Sequence, residues 1–242
     1  MPFTLAHPAA VLPLRRAPLL RTVPLILGAM SPDVPYFLPW RIAKHIPQGA
    51  THTLLGTLTL DLPFGILMLL FLWLLRVPLA APLGPAPQAK CLAAVERFGS
   101  RPINWLLAPL SLLVGSWTHL LWDSFTHADG WMVTRISALS APVSFFSYTG
   151  ELCHVLQYVS SIFGLAVLAV WFALLPAAPA PGIRNGGRSA GGPLLLAVLL
   201  AGAAVAGGLM TLTHLARPIP ASYHLLYLLL TRGTACVALH KA

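Results

Sequence analysis

Histidine and aspartate recur together at helix-compatible spacing, most clearly in Ser116-Trp117-Thr118-His119-Leu120-Leu121-Trp122-Asp123-Ser124-Phe125-Thr126-His127. At about 100° per residue, His119 and Asp123 fall about 40° apart around a helix and His127 about 80° from His119, so all three can converge from one face. An imidazole and a carboxylate one turn apart offer the nitrogen and oxygen donors that zinc, manganese or iron accept, and Gly130 gives the helix a place to stop. The same residues also fit a plain hydrogen-bonded histidine–aspartate pair at a helix end. Two more segments add donors: Met30-Ser31-Pro32-Asp33, a carboxylate in a proline-flanked turn, and Thr51-His52-Thr53-Leu54 at the mouth of an apolar stretch. Asp33 can cap a turn and the hydroxyls beside His52 can cap a helix, so either alone reads as structural. Convergence carries the metal reading. His7, Asp33, His52, His119, Asp123 and His127 come from separated segments that a helical bundle can bring to one end.

Other polar residues are less specific. Asp61 lies deep in an apolar stretch, nine residues beyond His52 and about 13.5 Å further along a helix, too far to ligate beside it. A hydrogen bond to a Ser or Thr of a neighbouring helix, or support of the site from behind, are its two readings. Glu151 and His154 could face the same site or form an interfacial cap; His214 and His224 carry weaker versions of the same signal. Trp117, Trp122 and Trp131 fit an aromatic belt at a lipid boundary.

The elements that must position these residues are apolar helices. With 57% hydrophobic and 9% charged residues and a mean hydropathy of +0.78, the 242-residue chain has the composition of an integral membrane protein. Four stretches reach the roughly 20 residues a bilayer core needs: Leu54–Leu75, Ile103–Trp122, Val155–Leu175 and Leu194–Leu212. A fifth, Tyr223–Leu239, is shorter and carries Arg232 and Gly233. The expectation is an all-α integral membrane protein, a bundle of four to five transmembrane helices forming a single membrane domain over residues 1–242. Residues 1–52 are broken by Arg21, Pro24, Pro32, Asp33 and Pro35 and are expected as short helices packed on the 53–242 bundle. Pro78–Gln88 reads as a linker and residues 176–192 as a flexible loop. Antiparallel spans would then place His52, His119, His154, His214 and His224 on one membrane face.

Only six carboxylates occur, which excludes an acidic tail or a calcium-buffering array, and the fifteen Lys and Arg residues are scattered as loop charges rather than gathered into a nucleic-acid stripe. Cys91, Cys153 and Cys236 lack the spacing of a disulfide framework or a thiolate metal site. The N-terminus lacks the basic-then-apolar pattern of a removable signal, so insertion is expected to rest on internal helices. No internal repeat of fixed period supports an inverted-repeat transporter.

A set of short motifs resembles one family. Met1-Pro2-Phe3-Thr4-Leu5-Ala6-His7-Pro8-Ala9-Ala10, Gly28-Ala29-Met30-Ser31-Pro32-Asp33, His52-Thr53-Leu54-Leu55-Gly56 with Asp61-Leu62-Pro63, Thr118-His119-Leu120-Leu121-Trp122-Asp123 with Thr126-His127, and Leu156-Gln157-Tyr158-Val159-Ser160-Ser161 resemble the bacterial membrane family called domain of unknown function 4184, over roughly residues 1–175. Relatives often show a histidine after the Leu-Gln pair, where this chain has Tyr158. The family is similar in layout to membrane-bound metal-dependent hydrolases and, more remotely, to zinc phospholipases C, a fold-level analogy that does not fix function. The reading that follows is a hydrolase of the bacterial plasma membrane, multi-pass, with one or two divalent ions, zinc first. Asp33 or Asp123 would accept the proton from the attacking water. Membrane lipid or another amphiphile with a phosphoester or related bond is the expected substrate, with Arg41 and Lys44 available for phosphate, and no nucleic-acid partner is expected. The rival is a metal-ion or proton transporter built around Asp61 and the histidines.

Overall fold

The structure, a computed structural model, describes residues 3–47, 49–145 and 148–176. Within them the chain is mainly helical, with one two-stranded antiparallel ribbon. The principal helices are α1 (Pro8–Val11), α2 (Thr22–Gly28), α3 (Leu54–Leu74), α4 (Pro85–Gly99), α5 (Ala108–Thr126) and α6 (Leu152–Leu174). Strands β1 (Pro142–Phe145) and β2 (Tyr148–Glu151) pair with Pro142 opposite Glu151 and lead directly into α6.

Helix α5 is the axis of the fold. Ala108, Ser111, Leu112, Gly115, Ser116, His119, Asp123 and Thr126 are its buried residues, spaced three or four apart as one helical stripe. Against that stripe lies α2, in an approach close enough to be backbone against backbone. A Cβ on Gly115 would stand 2.3 Å from the Leu25 carbonyl oxygen, and one on Gly28 would stand 2.1 Å from that of Leu112. Only glycine allows this. Val11, Leu25 and Ala29 fill the resulting interface, each side chain the size of Leu contributing about 1.5–3 kcal/mol on burial. At the far end of α2 the Arg21 backbone N–H donates to Ser111 Oγ (2.9 Å) and Arg21 Nε to Asn104 Oδ1 (2.5 Å), which sets the register of the pair.

Helices α3 and α6 flank this core and are long and apolar enough to cross a membrane. Thr53 caps α3 by accepting the Gly56 N–H at 2.9 Å. A π-helical turn then occupies Thr57–Asp61, where the Leu62 N–H bonds the Thr57 carbonyl. Pro63 explains it: its ring cannot donate and would clash with the carbonyl four residues back, and the wider turn relieves both. The two flanking helices run the same way. At their far ends Lys90 of α4 donates to the Phe172 and Ala173 carbonyls that end α6, and Arg76 pairs with Glu96 at 2.7 Å.

Several expectations change. Ile103–Trp122 is not one span: the chain breaks at Leu107 between a short helix, Pro102–Leu106, and α5, because Pro109 starts a new helix at its second position. Two helices of spanning length and apolarity are present among the described residues, in which three of the expected stretches fall. Pro78–Gln88 is no simple linker, since Arg76–Ala80 is helical and α4 begins at Pro85. The ribbon departs from an all-α reading. Within residues 1–52 the short helices do form, and they supply much of the core, with Ala6, Val11, Leu25 and Ala29 fully buried. Leu194–Leu212, Tyr223–Leu239, His214, His224 and the loop beyond Pro176 lie outside the described residues.

Candidate metal centre

Four donors meet where α5 ends and α3 begins. His119 Nε2 lies 3.2 Å from Asp123 Oδ2 and 3.6 Å from Asp33 Oδ1; His52 Nε2 lies 3.4 Å from the same Asp123 oxygen and 3.6 Å from the same Asp33 oxygen. Ligands about 2.0–2.1 Å from a tetrahedral ion stand about 3.3–3.4 Å apart, so each of these four His–Asp separations matches a pair of ligands on one ion, and Asp33, His52 and His119 come together as one potential ligand group. None of them is a hydrogen bond. Asp33 Oδ1, His52 Nε2, His119 Nε2 and both Asp123 oxygens are buried without a hydrogen-bond partner. Leaving one such group unsatisfied costs about 1–3 kcal/mol, more when it is charged, so the cluster as it stands calls for an occupant.

Neighbours aim each donor. His119 Nδ1 donates to the Ala29 carbonyl at 2.8 Å, which puts the proton on Nδ1 and the lone pair of Nε2 toward the centre. Ala29 follows α2, so the glycine-mediated crossing of α2 on α5 is what brings that carbonyl within reach. Thr4 Oγ1 donates to Asp33 Oδ2 at 2.5 Å, which leaves Oδ1 facing inward. Thr51 Oγ1 holds His52 Nδ1 at 3.1 Å. The N-terminal segment is itself pinned to α6, with the Phe3 N–H donating to Ser161 Oγ and Gly164 packed against the Ala6 carbonyl.

His7 sits beside this quartet. Its ring stacks on His119 with centroids 3.7 Å apart, its Nε2 is 3.5 Å from Asp123 Oδ1, and both its nitrogens are buried without a partner. His7, His119 and Asp123 form a second potential ligand group, as Asp33, His52 and His119 form a first. His119 Nε2 has one lone pair and can serve only one of them. A second ion would therefore rest on His7 and the outer Asp123 oxygen. His127 belongs to neither triad: it follows the end of α5 in an extended conformation, its Nδ1 donates to the Asp123 carbonyl at 3.1 Å and lies 3.7 Å from Asp123 Oδ2. It forms part of the rim.

Burial and charge act against each other here. Burial, reinforced by the positive charge of His119, lowers the His7 pKa to about 3, so His7 is neutral. Burial would also lower that of His52, but the close carboxylates of Asp123 and Asp33 outweigh it and raise His52 to about 9. For Asp123 and Asp33 burial works upward and the surrounding histidines win, holding both carboxyls below their usual range. The ion-free cluster thus keeps two carboxylates charged and compensates them with imidazolium, a positive charge that a divalent cation can replace.

Asp61 lies outside the quartet. It is fully buried, its Oδ2 accepts from Ser116 Oγ at 2.7 Å and its Oδ1 has no partner. The hydrogen bond to a neighbouring helix expected for it is present. Glu151 and His154 do not reach the centre but group with Cys153 at the start of α6, where the thiol donates to Glu151 Oε2 at 3.4 Å. Trp117 and Trp131 are exposed as a lipid belt would have them. Trp122 instead turns its N–H to Ser160 Oγ at 3.1 Å and its edge to His7. It also lines a cleft of about 470 Å³ between α5 and α6, with Leu121, Phe125 and Leu156. Thr4, the Ala29 carbonyl and Trp122 were not recognisable as site residues: a threonine near a terminus and a backbone carbonyl carry no spacing signal.

The family described as Domain of unknown function (DUF4184) matches residues 1–231, and the chain belongs to it. The match extends well past the last quoted motif, which ends at Ser161. Neither the curated proteins nor the solved structures contain a match to this chain.

Proposed function

We propose, with membership of that family as the premise, that the protein is a membrane-embedded metal-dependent hydrolase acting on a phosphoester or related bond of an amphiphilic, lipid-like substrate. One observation carries the reading: the unpartnered Nε2 atoms of His52 and His119 each stand 3.2–3.6 Å from an unpartnered oxygen of Asp33 and one of Asp123. Two imidazoles and two carboxylates suit zinc, and manganese or iron as well. A divalent ion there would supply Lewis acidity to polarise the scissile bond and acidify a water. The chain's own groups do the rest. Thr4 occupies the outer oxygen of Asp33, so of the two carboxylates Asp123 has the oxygen with room to accept a proton, beside the neutral His7. The buried side of the cluster, made by His7, Asp33 and His119, excludes water, while His52 and His127 are partly exposed and form the way in. The apolar cleft behind Trp122 is sized for part of a hydrocarbon chain.

The test is bound metal in detergent-purified, untagged protein by elemental mass spectrometry, with a His119→Ala/Asp123→Ala variant in parallel. One or two ions per chain, lost in the variant, support the reading and justify a screen of lipid phosphoesters. Absence of metal even after incubation with zinc or manganese rejects it. Asp61 favours a second reading, a proton or ion path, because a fully buried carboxylate with an unpartnered oxygen in an apolar helix is the usual mark of one. That reading requires flux in proteoliposomes, abolished by Asp61→Asn.

A further inference from the structure

The mouth of the cluster is bordered by a segment that the hydrolase reading does not use. Residues 34–53 join Asp33 to the start of α3 and contain Arg41 and Lys44 but no carboxylate. Both cations are exposed, and among the described residues neither has an acidic partner, Arg76–Glu96 being the Arg or Lys ion pair found there. Large apolar side chains alternate with them in the open: Trp40 is 77% exposed and Ile42 53%, and the first turn of α3 adds Leu54 at 75% and Leu55 at 70%. In water such a surface would be an association liability. Tryptophan and aliphatic side chains interleaved with unpaired cations, at the end of a helix of membrane-spanning length, are the composition of a surface that sits in a lipid headgroup layer.

Position ties this surface to the site. Tyr36 makes an edge contact with His52, ring centroids 6.5 Å apart, and His52 is a partly exposed member of the quartet. Arg41 lies five positions beyond Tyr36, at most about 18 Å of chain and less in the helical conformation adopted by Trp40–Ala43. The cations therefore lie on the segment that leads away from the entrance, with Lys44 eight positions beyond Tyr36.

We propose that Tyr36–Lys44 is a headgroup-layer surface that selects anionic membrane lipid, Trp40 and Ile42 entering the bilayer while Arg41 and Lys44 hold the lipid phosphate beside the mouth of the His/Asp cluster. That the selected lipid is also what the cluster acts on rests on the hydrolase reading; the surface itself does not. Two juxtamembrane cations with no competing carboxylate favour an anionic over a zwitterionic headgroup, by about fivefold per cation, since each is worth about 1 kcal/mol near a charged bilayer.

The experiment uses the full chain in nanodiscs and follows the fluorescence contributed by Trp40, taken as the difference from Trp40→Phe, with brominated phosphatidylglycerol or brominated phosphatidylcholine as quencher in otherwise identical lipid mixtures. The expected result is stronger quenching by the brominated anionic lipid, at least severalfold when expressed as local enrichment. The preference should fall to near parity in Arg41→Gln/Lys44→Gln and persist in millimolar inorganic phosphate. Equal quenching by both lipids, a preference unchanged in the double variant, or the absence of Trp40 quenching by either lipid would overturn the proposal. So would loss of the preference to inorganic phosphate, which would identify a site for the free anion. Circular dichroism and elution profile establish that the variants fold, and bound metal is read in the same samples. Metal without lipid preference sinks this surface alone; lipid preference without metal sinks the hydrolase alone.

Discussion

At the scale of single residues, the centre depends as much on the groups that aim the ligands as on the ligands. Thr4 donates to the outer oxygen of Asp33, and replacing it by valine removes that hydrogen bond while keeping the shape. Thr4→Val is expected to weaken metal binding by about 10–100-fold without removing a ligand, as measured by competition with a chelator of known affinity; an unchanged affinity would mean that Asp33 is oriented by packing alone. His52 makes a second prediction. In the ion-free protein its pKa is raised to about 9 by Asp123 and Asp33, so below that pH a proton holds the nitrogen a metal needs. Affinity should rise at least tenfold per pH unit near neutrality, with at least one proton released per ion, because His119, also held protonated by the carboxylates, must give up its own; titration calorimetry in buffers of different ionisation enthalpy detects the release. A pH-independent affinity would remove His52 from the ligand set.

Among the elements, the crossing of α2 on α5 decides whether the site exists. Glycines at 28 and 115 let the backbones meet, and that contact carries the Ala29 carbonyl to His119. Alanine at position 115 would gain helix propensity of about 1 kcal/mol but place a methyl 2.3 Å from a carbonyl oxygen. Overpacking of that kind costs about 1–3 kcal/mol. Gly115→Ala should therefore be net destabilising in thermal unfolding and should lose metal, whereas Gly84→Ala, whose Cβ would meet nothing closer than 4.0 Å, should leave both unchanged. The motif His52-Thr53-Leu54-Leu55-Gly56 was legible in sequence as the mouth of a helix, and it is one. The break at Leu107 was not, because a continuous apolar run looks the same whether or not Pro109 restarts the helix within it. The helix at Pro85–Gly99 was missed for the opposite reason: prolines at 85 and 87 read as linker, yet both fall in its first turn, where a missing N–H costs little.

For the whole molecule, α3 and α6 run in parallel from the site end to the end where Arg76, Lys90 and Glu96 cluster. If they cross a membrane, positions 49 and 100 lie on opposite sides. A membrane-impermeant maleimide should label Gly49→Cys and Ser100→Cys, in a background lacking the three native cysteines, from opposite faces of sealed vesicles; labelling from one face would reject the crossing. Metal should also stabilise the whole fold, since Asp33, His52 and the α5 donors come from different segments. Saturating zinc, at about 100 times its Kd, is worth about 2.7 kcal/mol and should raise the unfolding midpoint by roughly 5–10 °C, an increase absent in His119→Ala.

Helical character, the apolar flanking helices and a pool of candidate His and Asp donors are legible in the chain, because periodicity and residue chemistry are local properties. Asp61 was separable from His52 by helix rise alone. Which donors share one centre was a matter for the tertiary structure. His119 and Asp123 are joined to Asp33 and His52 because two glycines let α2 touch α5, and His127 is left on the rim because α5 ends one residue before it. His7, opposite the outer oxygen of Asp123, owes its place to the N-terminal segment being buried against α6. Donor distances of a few ångströms between residues as far as 116 positions apart in the chain, as for His7 and Asp123, follow from interhelical contact, and no spacing within a single helix encodes them.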